Sequence, residues 1–319
     1  PLHVSLSMAE NTHSVTQGGT TSDTTASPRA GLTSRTLGGL AWGISGTGAI
    51  AVLQVLVTAV LARLLVPAEF GLLSAASVVI GFSSMFSQLG IGSAIVQRQA
   101  LDEAHIRTGF TLSLILAFLL AILVFVATPL IATFMRLPDL APVLRMMAAL
   151  FPIQAVSSVA QSLAQRKLRF RMLARVDVLS YGLGYGLVGI ALAISGLGVW
   201  ALVIAHVVQA ALKTVMLLVA QHHPKRFQLD RIAARDLLSF GGGITFARLA
   251  SYIAIQGDNL IVGRSLGEAA LGLYGRAYQI SMMPTTLLGQ TLDAVLFPAM
   301  AEAQGRPDSL VVGGLSPIG

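Results

Sequence analysis

The sequence predicts an all-α protein, a polytopic transmembrane helical bundle of two related lobes with about eight spans present. Three observations predict it. Apolar runs of roughly 20 residues recur along the chain, and about 20 residues of helix cross the roughly 30 Å hydrocarbon core of a bilayer. Charged residues make up only 11% of the 319 residues and mean hydropathy is +0.76, whereas a soluble domain carries about 25% charge. One segment also occurs twice: ARLLVPAEFGLL at 62–73 and GRSLGEAALGLY at 263–274. A shift of 201 places Arg63 on Arg264, Leu65 on Leu266, Ala68 on Ala269, Gly71 on Gly272 and Leu72 on Leu273. Each copy closes one apolar run and opens the next, so each reads as the tight outer turn of a helical hairpin. A repeat of this kind predicts two lobes of related architecture with a ligand between them.

Taken in order, residues 1–36 are rich in Ser and Thr and lack the apolar centre of a signal peptide, which predicts a disordered cytoplasmic tail. Residues 37–220 hold the first lobe, with six spans at about 38–65, 70–96, 108–134, 141–163, 173–194 and 199–220. Gly39 and Gly43 give the first span a small-xxx-small spacing that lets helix backbones approach. Pro129 lies where it can end or kink the third. Gly182, Gly184, Gly186 and Gly189 make the fifth a close-packing helix, and the four residues 195–198 join it to the sixth by a compact turn. A basic cytoplasmic linker follows at 221–236. The first hairpin of an incomplete second lobe occupies 237–304, with spans at about 237–262 and 277–299, and 305–319 reads as an irregular tail.

Basic residues set the orientation. Of 21 Lys and Arg, 14 fall in the tail and the loops that share its side, five on the other side (Arg63, Arg136, Arg145, Arg264, Arg276), and Lys213 and Arg248 within spans. The positive-inside rule therefore puts the tail and the Arg166–Arg175 loop in the cytoplasm. Six spans separate the two repeat copies, so both point the same way and the repeat is parallel rather than inverted. The formal charge of +7 sits in short loops between apolar runs, which points to membrane topology and not to nucleic acid. With no Cys there is no disulfide, thiolate site or iron–sulfur cluster.

Ionisable groups inside spans are costly and so mark candidate sites. Arg248, near the middle of the seventh span, suits a phosphate-bearing ligand in a wet cavity, or a structural pairing with Asp293 of the eighth span. Asp258 and Asn259, near the outer end of the seventh span, suit a coupling ion or simple interface hydration. Lys213 is either a ligand contact or a side chain reaching the cytoplasmic interface. Gln54 and His206 are polar groups within spans that suit either ligand contacts or helix–helix hydrogen bonds. The basic loop 166–175 could hold anionic headgroups, although topology alone accounts for it. His222 and His223 have no accompanying ligand set. No nucleotide loop or catalytic triad stands out, so neither catalytic residues, metal nor cofactor is expected.

Four segments, 61–98, 196–203, 237–284 and 296–304, resemble the polysaccharide-exporter branch of the multidrug/oligosaccharidyl-lipid/polysaccharide flippase superfamily. Their order and spacing carry the resemblance. It implies a two-lobed flippase architecture in the cell inner membrane that moves a polyprenyl-pyrophosphate-linked oligosaccharide between leaflets. Its partners would be that lipid-linked oligosaccharide, the bilayer and polysaccharide polymerase or export machinery. The shared motifs are structural turns and fix no substrate contact. Such proteins have twelve or more spans, so the resemblance implies a C-terminally incomplete member. The alternatives are a multidrug–cation antiporter of the same superfamily, an integral-membrane glycan polymerase or ligase, and a non-transporting fragment.

Overall fold

A computed structural model describes residues 48–88, 90–97, 101–221 and 227–304. Every regular element among these residues is helical. Helices α1 (Gly48–Leu64) and α2 (Pro67–Gln88) form the first hairpin. Next come α3 (Ile91–Gln97), α4 (Glu103–Met135), α5 (Leu140–Met147), α6 (Leu150–Arg166) and α7 (Phe170–Ser180). A π-helical segment, Tyr181–Val188, then leads into α8 (Gly189–Ile194), α9 (Val199–Ala220) and α10 (Arg231–Gln304). Five stretches are long and apolar enough to cross a membrane: α2, α4, α5 with α6, α7 through α8, and α9. The protein is an all-α, multi-pass membrane protein.

The distribution of side chains on α4 shows the solvent each face meets. Leu119, Ile122, Val126 and Leu130 are exposed, Leu130 by 74%, while Thr108, Thr111, Ser113 and Thr128 are buried, Thr128 completely. Apolar groups face outward and small hydroxyls inward, the reverse of a water-soluble helix. Thr128 satisfies its own hydroxyl by donating to the Val124 carbonyl at 2.7 Å. A common core from α1, α2, α4, α5, α6, the π segment and α9 joins Leu61, Phe70, Leu144, Phe151, Tyr185 and Leu202, and Leu271 of α10 enters it.

Local chemistry explains most boundaries. Pro67 opens α2 at the first helical position, where its missing N–H costs nothing, and the Glu69 carboxylate accepts from the Val66 N–H at 3.0 Å. Pro129 neither ends nor breaks α4, which runs on to Met135. The helix stops instead at Arg136, whose left-handed backbone (φ 56°) lets the Leu137 N–H reach the Ala132 carbonyl at 3.1 Å. The second predicted span is divided at Gly90 (φ 68°) into α2 and α3, and the fourth is divided between α5 and α6. The linker expected to reach residue 236 is shorter, because α10 begins at Arg231. Asp230 caps it, its carboxylate accepting from the Ile232 and Ala233 N–H groups, both at 2.9 Å. The crowded glycines Gly39 and Gly43 lie outside the described residues.

Helix α10 contains both spans of the second hairpin, with its break at Gly267 (φ 83°, ψ −178°), backbone that is essentially restricted to glycine. There the two repeat copies meet. A Cβ on Gly71 would run into the Glu268 carbonyl, and one on Gly272 into the Pro67 carbonyl. Under the 201-residue offset, Gly71 is the counterpart of Gly272, and Pro67 of Glu268. The contact is therefore reciprocal, as a two-fold relation between the hairpins requires. Ser74 and Gly275, again counterparts, face each other one turn further in.

Candidate functional site

The reciprocal glycine contact closes the turn end between the two hairpins, and beneath it lies a cavity of about 400 Å³ lined by α1, α2 and both arms of α10. Gln54 contributes from α1, Ser74 and Ser77 from α2, Gln256 and Asn259 from the first arm, and Arg276, Tyr278 and Gln279 from the second. Gln54 lies ten residues before the end of α1, roughly 15 Å along the helix. Arg276 lies nine residues past the Gly267 break, roughly 14 Å along its own arm. With both turns placed at the membrane surface, these distances would reach about the middle of a 30 Å hydrocarbon core.

Its sequence position puts Arg276 among the outer-side cations. The break at Gly267, rather than near Tyr274, places it inside the second arm. Its guanidinium lies 4.4 Å from the Phe70 ring centroid and donates through Nη1 to Gln279 Oε1 at 2.8 Å. The Nε–H is buried and has no hydrogen-bond partner among the described residues. No carboxylate there pairs with the guanidinium either. A cation–π contact offsets only about 0.5–2 kcal/mol of a desolvated charge, so an anion entering the cavity would find a donor still unfilled. The residue was legible as Arg and as a close neighbour of the second repeat copy; its depth was not.

The other expected site residues divide among three places. Gln54 and Asn259 line this cavity. Asn259 donates to Gln256 Oε1 at 2.6 Å, and the adjacent Asp258 carboxylate accepts from the Tyr274 hydroxyl at 2.6 Å. Asp258 is thus joined to the opposite arm of its own hairpin, a partner that sequence spacing did not suggest. Lys213 stands elsewhere, paired through Nζ with Asp177 Oδ1 at 2.7 Å, beside a second cavity among α3, α4, α6 and α9. His206 of α9 lines that second cavity and meets the Tyr185 ring edge-on. The side chains of Arg248 and Asp293 lie outside the described residues, as do His222 and His223.

The basic loop has a structural task at two positions. Arg166 donates to the Ile95 and Val96 carbonyls at 3.0 and 3.3 Å, and Arg169 to the Ala220 carbonyl at 3.3 Å and Gln221 Oε1 at 2.9 Å. They satisfy the open C-terminal carbonyls of α3 and α9. At the other end, Arg264 donates to the Phe134 carbonyl at the close of α4 and lies 4.4 Å over the Phe134 ring.

Residues 60–311 match the family described as polysaccharide biosynthesis protein. The chain belongs to this family. It is 30% identical to the succinoglycan biosynthesis transport protein ExoT of Rhizobium meliloti, over 81% of this chain and 52% of that protein. It is 28% identical to the teichuronic acid biosynthesis protein TuaB of Bacillus subtilis, over 85% and 56%. Identity to the lipopolysaccharide biosynthesis protein WzxC of Escherichia coli is 26%, over 88% and 57%. The chain thus spans about half the length of these curated relatives. No solved structure matches it.

Proposed function

We propose that this chain forms the first lobe and the first hairpin of the second lobe of an inner-membrane flippase, which carries a lipid-linked oligosaccharide from one leaflet to the other for polysaccharide export. The observation that carries this reading is Arg276, an incompletely compensated cation in a polar cavity between the two hairpins. The transport problem is to take a glycan and its diphosphate through hydrocarbon while the lipid tail remains in lipid. A hydrated, cationic cleft between lobes answers it. Arg276 supplies charge-assisted donors to the pyrophosphate. Arg248, near the middle of its span, is a second cation for the same group. Asp258 and Asn259 serve ion coupling or the positioning of the second hairpin, and the tail and the Arg166–Arg175 loop face the cytoplasm. The three relatives named for succinoglycan, teichuronic acid and lipopolysaccharide support a polysaccharide cargo.

The test uses the complete reading frame that contains this chain, with flipping of lipid-linked glycan measured in membranes at matched amounts of folded protein. Arg276→Gln should reduce flipping by about tenfold or more, since a hydrogen bond to a charged group is worth about 1.5–3 kcal/mol. Arg276→Lys should keep more activity by preserving the charge without the planar fork. Flipping by Arg276→Gln at the parental rate would overturn the assignment.

A further inference from the structure

The second cavity is unlike an ordinary membrane-protein interior. Gln154, Ser157, Ser158, Gln161, Ser162 and Gln165 recur on α6 at spacings of three and four residues, so one face of a membrane-crossing helix is polar over three turns. All six line a cavity of about 560 Å³, within the roughly 300–1,000 Å³ of small-molecule sites. Gln97 of α3 and Gln209 of α9 line its other walls.

Its hydroxyls and its amides behave differently. The hydroxyls are largely satisfied at home: Ser157 and Thr214 share a hydrogen bond at 3.1 Å, Ser158 donates to the Ala155 carbonyl at 2.9 Å and Ser162 to the Ser158 carbonyl at 3.0 Å. By contrast, the side-chain amides of Gln97, Gln154, Gln161, Gln165 and Gln209 make no hydrogen bond to protein among the described residues. Each amide offers two donors and an acceptor. The one ammonium on the wall, Lys213, is paired with Asp177 at 2.7 Å, so the lining carries no unpaired charge there. Five open amides in a neutral wall suit a ligand that is uncharged and both donates and accepts at many points. Sugar hydroxyls have that chemistry; a phosphate, an organic cation or an acyl chain does not.

We propose that this first-lobe cavity is a glycan subsite, binding neutral sugar units through Gln161, Gln165 and Gln209 while the charged group is held separately at Arg276. That the bound sugar is part of a translocated lipid-linked glycan rests on the flippase reading; the binding of neutral sugar does not.

The native chain has no cysteine, so Ser158→Cys places a single reporter in the cavity. The full chain carrying it is reconstituted in lipid nanodiscs, and modification by a small water-soluble maleimide is timed. The probes are neutral trisaccharides of glucose, of galactose and of mannose, each alone, with inorganic pyrophosphate as the charged comparison. At least one trisaccharide should slow labelling about tenfold at ten times its Kd, because occupancy scales the free fraction by 1 + [L]/Kd. Pyrophosphate should not. Gln161→Leu and Gln209→Leu should each weaken the sugar's protection while leaving the unprotected labelling rate unchanged, which reports an intact cavity. Gln161→Asn takes the place of either variant if that rate shifts, and should weaken protection in the same way. Protection by none of the trisaccharides, by pyrophosphate alone, or undiminished in these variants would overturn the subsite and leave a water-filled cavity. Sugar protection with no glycan flipping by the complete protein would instead retain the subsite and remove the transport reading.

Discussion

At the scale of single residues, sequence marks where a charge falls within a span, but its partner is set by three-dimensional packing. Lys213 is the example. Its position in α9 suits a side chain reaching for the interface or a ligand contact, and its ammonium meets Asp177 of α7, with the two side chains 31% and 35% exposed. The pair lies between the exposed limit, about 0–1 kcal/mol, and the buried limit, where removing one partner costs about 3–5 kcal/mol. Lys213→Met should therefore lower the stability of the detergent-solubilised protein by about 1–3 kcal/mol, read as a fall in thermal unfolding temperature. Adding Asp177→Leu should recover most of that loss, since the second change removes the stranded carboxylate. A double variant no more stable than the single one would show that the pair does not set the cost. Arg166 and Arg169 teach the same lesson from the loop. Their charge was legible as topology, but their use as caps for α3 and α9 depends on where those helices end.

At the scale of elements, five of the eight predicted spans coincide with stretches long and apolar enough to cross a membrane. The sixth span was legible to the residue, Val199–Ala220, because Gly196 (φ 78°) and Gly198 (φ 59°) mark the turn before it. The divisions at Gly90 and between α5 and α6 were not, because apolar composition continues through them. The glycines of the fifth span do bring backbones together: a Cβ on Gly184 would lie 2.5 Å from Gln209 Cα, at the π-helical segment. Gly267 has a different task. A Cβ there would meet nothing within 4 Å, so the constraint is entirely the backbone at φ 83° and ψ −178°. Gly267→Ala should therefore cost about 1–3 kcal/mol by strain alone, seen as a lower unfolding temperature with no loss of side-chain contacts. Ser265→Ala, two residues away on an exposed position, provides the comparison and should change stability by less than about 0.5 kcal/mol.

At the scale of the whole molecule, the all-α membrane class is the part of the architecture legible in the sequence, and the inter-hairpin cavity is the part least legible. Five matched positions predicted that 62–73 and 263–274 are equivalent; nothing in their letters predicted that equivalent residues touch. The structure makes them touch because Gly71 and Gly272 leave room for each other's neighbouring carbonyls. That contact lies at the turn end above Arg276, so the transport proposed above would require it to part when the cavity opens on that side. Ser74 and Gly275 allow the motion to be stopped. A Cβ built on Gly275 lies 3.8 Å from the Ser74 Cβ, the mean separation, about 3.8 Å, in a disulfide. In this cysteine-free chain, Ser74→Cys with Gly275→Cys should therefore cross-link under mild oxidation, while either change alone should not. Within the complete reading frame, the oxidised protein should fail to flip lipid-linked glycan and a reductant should restore flipping. Each single variant should transport under both conditions, which separates locking from damage by the substitutions. Undiminished transport by protein shown to be fully cross-linked would mean that the two turns never separate, and that the cargo leaves by a route that does not pass between the hairpins.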